Sequence, residues 1–336
     1  MKIKNKKILL VGGCGFIGHN LALHLKRYGA NPIIVDSLSV NNILSFNDKD
    51  ILNKKLYTSI LNNRIELLNS NEIKLIIQDA RDYHAVSKIY EQINPEIIIH
   101  LAAVSHANRS NKDPHSTFDH SLRTLENSLD YARINKTHLI YISSSMVYGN
   151  FNSTKVTEET PCNPIGIYGT LKLSGELLVK SYNQIFDLPY TIVRPSALYG
   201  ERCVSRRVGQ IFIENAIQNI DITINGDGND QLDFTYIEDL IEGLTICCLK
   251  KEALNQTFNL TYGDSRRIND LIKILREEFP NINVLYNKEK EKFMPERGTL
   301  DITKAKEKIG YLPKNSIEVG YRRYVEWYKN FWNNLT

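Results

Sequence analysis

The stretch KILLVGGCGFIGHNLALHLKRYGANPIIVD, residues 7–36, decides the fold. It opens on an apolar run, turns through Gly12, Gly13, Gly15 and Gly18, and continues with apolar residues at helical spacing. A second apolar run closes it at Asp36. Strand, glycine turn, helix and strand in that order make a parallel βαβ unit. Glycines at 12, 15 and 18 have separate tasks. One permits the sharp bend, one lets the backbone approach a pyrophosphate, and one lets helix and strand pack closely. The helix start, with Phe16 and Ile17 on it, offers free N–H groups and a partial positive charge to phosphates. Asp36 falls at about the expected distance of roughly 20 residues. A carboxylate there accepts hydrogen bonds from the adenosine ribose and repels a 2′-phosphate, so NAD is favoured over NADP. Ser37 follows it in the same expected site. A plain glycine turn is the competing reading, and the flanking strand and helix weigh against it.

Outward from this unit the alternation continues. IKLIIQD, EIIIHLA, HLIYISS and PYTIVRP read as further strands, with amphipathic stretches such as YHAVSKIYEQI between them. The pattern predicts an α/β protein with a Rossmann-type, doubly wound parallel sheet covered on both faces. After about Tyr199 the strict alternation fades. Residues 1–199 are therefore expected to form the NAD-binding domain, and 200–336 a smaller C-terminal α/β substrate-binding domain, with one or two later segments crossing back. The polar segment 40–71 is an insertion before the third strand, and its run LSFNDKDILNKKLYTSIL reads as a helix of unassigned role.

Composition excludes several classes. At 336 residues, 42% hydrophobic and 24% charged, the chain has an ordinary globular make-up. Its net charge of +4 forms no basic stripe for nucleic acid. No apolar run approaches the roughly 20 residues that cross a bilayer, and no secretory leader pattern is present. Cys14, Cys162, Cys203, Cys247 and Cys248 lack metal-ligand spacing, and the last two, in LTICCL, read as core. A cytoplasmic protein without a metal is expected.

Six more blocks follow the glycine turn in order. They are Gln78-Asp79-Ala80-Arg81-Asp82, His100-Leu101-Ala102-Ala103, and Ser143-Ser144-Ser145-Met146-Val147-Tyr148-Gly149. Then come Tyr168 with Lys172, Arg194-Pro195-Ser196-Ala197-Leu198-Tyr199-Gly200, and Asp233-Phe234-Thr235-Tyr236-Ile237-Glu238-Asp239. Together they resemble the extended short-chain dehydrogenases/reductases, specifically the NAD-dependent epimerase/dehydratase family, over nearly the whole chain. The resemblance implies that Asp79 and Ala80 border the adenine and that Leu101, Ala102 and Ala103 line the cofactor's middle. Ser143, Tyr168, Lys172 and Pro195 complete the implied cofactor site.

Tyr168 and Lys172 stand four apart in IYGTLKLSGELL and so share one helix face. A phenol ionises near pH 10, and a nearby ammonium with the positive nicotinamide ring favours the phenolate. Such a pair is common by chance, but after Ser143-Ser144-Ser145 it resembles the family's active site. Ser144 matches the residue that hydrogen-bonds the reacting hydroxyl, Tyr168 the base, and Lys172 the residue holding tyrosine and nicotinamide ribose. The implied chemistry is NAD-dependent oxidation at C4 of a nucleotide-activated sugar, hexose or heptose, by a 4-dehydrogenase or 4-epimerase. Relatives that dehydrate sugars carry an acid just after the serine. Ser145 and Met146 supply none, which disfavours a dehydratase. A non-catalytic NAD-binding regulator on the same fold is the alternative, and the Tyr-Lys pair argues against it.

Substrate contacts are expected from Ser105, His106, Ser145, Met146, Ala197, Arg202, Arg206 and Arg297. His106 and Asn108, in AVSHANRS, resemble residues that face the sugar in some relatives. Two family residues are replaced: an arginine before Asp233 is Leu232, and an asparagine after the sixth strand is Ala197. Arg297, in MPERGTLD, matches an arginine that pairs with the diphosphate. Arg202, Arg206 and Arg207, in ERCVSRRVGQ, offer replacement charge. RPSALYGERCVSRRVGQIF, with Ser-Met after the serine, resembles bacterial capsule polysaccharide biosynthesis enzymes, among them the GDP-heptose 4-dehydrogenases. Segments 113–135 and 168–187 are expected as long helices, and the family resemblance implies that they pair with a second copy into a four-helix bundle, giving a homodimer.

Overall fold

The apolar run before the glycine turn forms β1 (Lys7–Val11), and α1 (Phe16–Arg27) starts directly after Gly15. β2 (Asn31–Asp36) returns in parallel beside β1, placing Val35 opposite Val11. The remaining apolar runs become β3 (Lys74–Ile77), β4 (Ile97–His100), β5 (His138–Ile142) and β6 (Tyr190–Arg194). A seventh strand, β7 (Gln256–Asn259), comes from beyond Tyr199 and pairs in parallel with β6. The computed structural model describes residues 3–47, 52–104, 107–151, 153, 155–287 and 294–335.

Across the sheet the order is β7-β6-β5-β4-β1-β2-β3. The chain travels outward from β1 to β3, then restarts on the other side of β1 with β4. In such a sheet the crevice at the carboxyl ends beside that reversal is where ligands bind. Gly12, Asp36, Leu101, Ser143 and Pro195 are the residues that leave the strands there.

Strands covered on both faces need apolar residues at every position, which is why the runs are continuous. Leu10, Ile34, Ile99 and Ile140 face one core with α1, α3 (Lys54–Ser70) and, further along the chain, the helix Ile237–Leu249. Leu9, Val35, Ile98 and Leu139 face the other, with α4 (Tyr83–Ile93) and α7 (Thr124–Asn135). Cys247 and Cys248 are buried on Ile237–Leu249.

The inserted segment holds two helices where one was expected, α2 (Ile43–Asn47) and α3, while residues 48–51 lie outside the described residues. The 113–135 segment runs without a break through α6 (Pro114–Phe118), a π-helical turn (Asp119–Arg123) and α7, after the short α5 (Ala107–Lys112). α8 (Gly166–Phe186) packs beside α7. Leu125 and Leu129 are spent entirely on the core, whereas Leu177 remains 59% exposed. Among the described residues no helix is long and apolar enough to cross a membrane.

Candidate active site

The cofactor cleft starts from the geometry of the glycine turn. Gly12 has φ +76°, and a Cβ there would lie 2.7 Å from the Ala102 nitrogen. Only glycine lets the turn after β1 lie against the loop after β4. No side chain caps α1 and no acidic residue sits in its first turn, so its N-terminus faces the cleft as an anion seat. Asp36 closes the other end. Its carboxylate accepts from the N–H of Cys14 at 2.9 Å and of Leu38 at 2.7 Å. Burial pushes that carboxyl upward, and these two N–H bonds pull it back.

One elongated cleft is lined by Gly12, Gly15, Phe16, Ile17, Gly18, Asp36, Ser37, Asp79, Ala80, Leu101, Ala102 and Ala103. All the cofactor residues expected before β5 are therefore together. Asp79 is held by Arg81, whose Nη2 lies 2.6 Å from Oδ2. His120 and Thr124 also line this cleft. Neither was legible in the sequence, because the π-helical turn shifts the side-chain register that ordinary helical spacing assumes.

The candidate catalytic residues meet where β5 ends. Ser144 has extended backbone and caps a 3₁₀ turn (Ser145–Tyr148), its Oγ accepting from the Met146 N–H at 3.2 Å. α8 presses onto that turn: a Cβ at Gly169 would lie 2.7 Å from the Met146 carbonyl oxygen. This close approach brings Tyr168 and Ser144 onto the wall of the same cavity, and the serine hydroxyl helps to lower the phenol. Lys172, one turn further on, is buried and donates from Nζ to the Ile142 carbonyl at 2.7 Å.

Burial lowers Lys172 to about 8, opposed by the negative charge of Glu176. The Tyr168 phenol is raised by burial, and the charge of Arg207 and the Ser144 hydrogen bond pull it down. Arg207 is thus a cation that pulls the phenol down here, while the Lys172 ammonium donates to the end of β5. His100 is pushed down to about 3, chiefly by burial, with Lys172 adding to it. It is neutral, and its Nδ1 lies 3.0 Å from the Ser128 Oγ.

Behind these residues stands a buried network that sequence reasoning missed. Glu176 binds Arg194 through two bonds, Nε at 2.9 Å and Nη2 at 2.6 Å, and accepts from the Ser143 hydroxyl at 2.5 Å. The available signal was spacing, since Glu176 lies four residues after Lys172 on the same helix face.

Tyr168, Lys172, Ser143, Ser144 and Pro195 open onto a second cavity of about 840 Å³, which shares Ile17, Leu101, Ala103, Leu198 and Arg207 with the cofactor cleft. Ser145, Met146, Ala197, Arg206, Arg297, Asn108 and Leu232 line it as well. Arg297 is lowered to about 10, mainly by burial, and its Nε is buried without a partner among the described residues. A buried unpaired donor on a cation marks a place for an anion. Arg202 does not join the group. Residues 202 and 206 both take left-handed backbone, so neighbouring arginines point apart. The Arg202 guanidinium turns away to α1, with Nε 3.2 Å from His19 Nε2. Ser105 and His106 lie outside the described residues.

The profile of the NAD dependent epimerase/dehydratase family matches residues 8–261. The chain belongs to this family. A relative from Methanocaldococcus jannaschii, whose name places it with the UDP-glucose 4-epimerases, is 31% identical over 335 residues, covering 98% of this chain and 100% of its own. A UDP-glucose 4-epimerase of Thermotoga maritima, solved with UDP-glucose, superposes with a TM-score of 0.84 at 27% identity, covering 96% of this chain and 99% of that one. A UDP-glucuronic acid 4-epimerase of Bacillus cereus, solved with UDP-glucuronic acid and NAD, gives 0.85 at 26% identity over the same shares.

As an enzyme of the NAD dependent epimerase/dehydratase family, the chain uses NAD as its cofactor. Its residues fit that group: a turn with no room for side chains, an uncapped helix start, and a carboxylate at the end of β2. When bound, NAD supplies a hydride acceptor.

Proposed function

We propose that the chain oxidises the C4 hydroxyl of a nucleotide-activated sugar with NAD, as a 4-epimerase or a net 4-dehydrogenase. The observation carrying this reading is the Ser144–Tyr168 pair at the junction of the cofactor cleft and a cavity with Arg206, Arg207 and Arg297 on its walls. Ser144 holds the C4 hydroxyl and Tyr168 removes its proton, while the C4 hydrogen leaves as hydride to NAD. A 4-keto sugar and NADH result. The diphosphate of the substrate is the anion that answers Arg297.

The two outcomes differ in the fate of the hydride. An epimerase returns it to the opposite face of the ketone, the activity named for the Thermotoga maritima and Bacillus cereus neighbours. A dehydrogenase releases the ketone and needs a further oxidant for NADH. Leu232 and Ala197 line the cavity in place of the family's usual substrate-contacting residues, a change that suits either a site that releases its keto product or a different nucleotide. The narrower reading, a GDP-heptose 4-dehydrogenase of capsule biosynthesis, rests on residues 194–212 and on Ser145-Met146.

The test is a panel of UDP-, dTDP- and GDP-sugars, GDP-heptose included, followed by product mass and absorbance of reduced nicotinamide. Lasting reduction with a product two hydrogens lighter supports the dehydrogenase. An isomer of unchanged mass supports the epimerase, and loss of water, or no reaction with any member, rejects both. Two structural readings accompany this one. Residues 1–199 hold the cofactor and 200–336 supply most substrate walls. The chain pairs as a homodimer through α7 and α8, whose Leu177, Leu178 and Ile185 are exposed. Sedimentation should give a dimer for the natural chain and a monomer for Leu177→Asp; a natural chain that sediments as a monomer at micromolar concentration removes the dimer.

A further inference from the structure

The inserted segment before β3 turns on Arg64. α3 buries Leu56, Tyr57, Ile60, Leu61 and Leu68, and Arg64 stands in that same stripe. At 1% exposure it is the bulkiest of the fully buried side chains. A buried cation is costly unless something nearby answers its charge. Nε donates to the Arg202 carbonyl at 3.0 Å, Nη2 donates to the same oxygen, and Nη1 reaches the Cys14 carbonyl at 3.5 Å. These oxygens satisfy the donors but carry no net charge. Among the described residues it forms no ion pair. Asp36 acts on it only from further off, and its own oxygens are engaged by the N–H groups of Cys14 and Leu38. Burial lowers the guanidinium to about 10, so it keeps its charge at neutral pH.

Arg64 also lines the cofactor cleft, together with Gly12, Gly15 and Asp36. The Cys14 carbonyl that it reaches belongs to the glycine turn on which a dinucleotide's diphosphate sits. Asn42, at the start of the insertion, donates to the same carbonyl at 3.3 Å. The inserted segment therefore holds one carbonyl of the phosphate turn from two residues. We infer that Arg64 is the counter-charge for the cofactor's diphosphate, delivered to the turn by the inserted helix α3. Through the Arg202 carbonyl it also fixes the loop that carries Arg206 and Arg207 to the substrate cavity. The inference rests on NAD binding alone and holds whichever sugar is the substrate.

The test titrates the full-length chain and its Arg64→Met and Arg64→Lys variants calorimetrically with NAD, ADP and adenosine, at low and high salt. ADP carries the diphosphate and adenosine does not. Arg64→Met should weaken NAD and ADP by about tenfold or more, leave adenosine unchanged and flatten the salt dependence of NAD binding. Arg64→Lys keeps the charge and should keep most of the preference for ADP over adenosine. Equal loss of ADP and adenosine in Arg64→Met overturns the inference by reducing Arg64 to a strut, as does natural affinity for both. If Arg64→Met does not fold, Arg64→Lys decides: a retained preference for ADP supports the counter-charge, and a lost preference overturns it.

Discussion

Replacing Glu176 by glutamine removes one charge and leaves the size of the side chain. Glu176 is wholly buried on α8, and Arg194, opposite it, is 2% exposed. The bonds continue beyond this pair, from Arg194 Nη1 to the Tyr148 hydroxyl at 2.8 Å and from that hydroxyl to Asn259 Oδ1 at 2.7 Å. They join α8, the end of β5, the 3₁₀ turn, β6 and β7 behind the catalytic residues. In Glu176→Gln the guanidinium stays buried and charged with only a neutral amide opposite. The amide's own NH₂ then competes with the Ser143 hydroxyl and Arg194, which are both donors. Removing one partner of a buried ion pair costs about 3–5 kcal/mol. That is a large share of the roughly 5–15 kcal/mol by which proteins are stable. At about 2 °C per kcal/mol for a large chain, the thermal midpoint should fall by roughly 6–10 °C. Catalysis should follow, because Glu176 opposes the burial that has already lowered Lys172 to about 8. Without it Lys172 falls further and is neutral over more of the working pH range. Thermal unfolding followed by circular dichroism, with a pH–rate profile of the active enzyme, reads both effects. An unchanged midpoint with an unchanged profile would refute the reasoning.

Tyr168→Phe should lower turnover by about 100- to 10,000-fold while calorimetry still finds NAD bound, and near-normal turnover would show that the base is another group. Arg297→Met should raise KM far more than it lowers kcat, since it removes binding shared by ground and transition states; an unchanged KM would take Arg297 out of the diphosphate site. Lys172 carries a stability prediction with a definite sign. Its pKa is lowered on folding from 10.5 to about 8, so the unfolded chain binds more protons between those values and stability rises with pH across the window. Below about 8 the penalty of the buried charge is complete; above 10.5 it is gone. Urea unfolding at both ends should show this rise in the natural chain and a smaller one in Lys172→Met, and equal slopes would contradict it.

What was legible in the sequence had a periodic or conformational cause. Continuous apolar runs announced β1, β2, β4, β5 and β6 because strands buried on both faces tolerate little else. Gly12 could be placed because its left-handed backbone and its approach to Ala102 exclude a side chain. Tyr168 and Lys172 could be paired because helical spacing aligns them. A later segment was expected to cross back, but β7 was not picked out because Gln256–Asn259 is short and mostly polar, a strand by virtue of the β6 edge that receives it. Arg64 escaped because a charged residue in a polar-looking segment reads as solvated, and only tertiary packing reveals the stripe it occupies. Arg202 parted from Arg206 and Arg207 through loop backbone that no spacing rule encodes.

The most direct test of the central claim labels the bond said to break. A nucleotide sugar accepted by the enzyme, carrying deuterium at C4, is followed through a single turnover by rapid quench, with mass analysis of sugar and nicotinamide. Slower conversion than with hydrogen at C4, and deuterium recovered on the nicotinamide during the turnover, is the predicted result. Deuterium that never leaves C4, with conversion at the unlabelled rate, would contradict oxidation at that carbon.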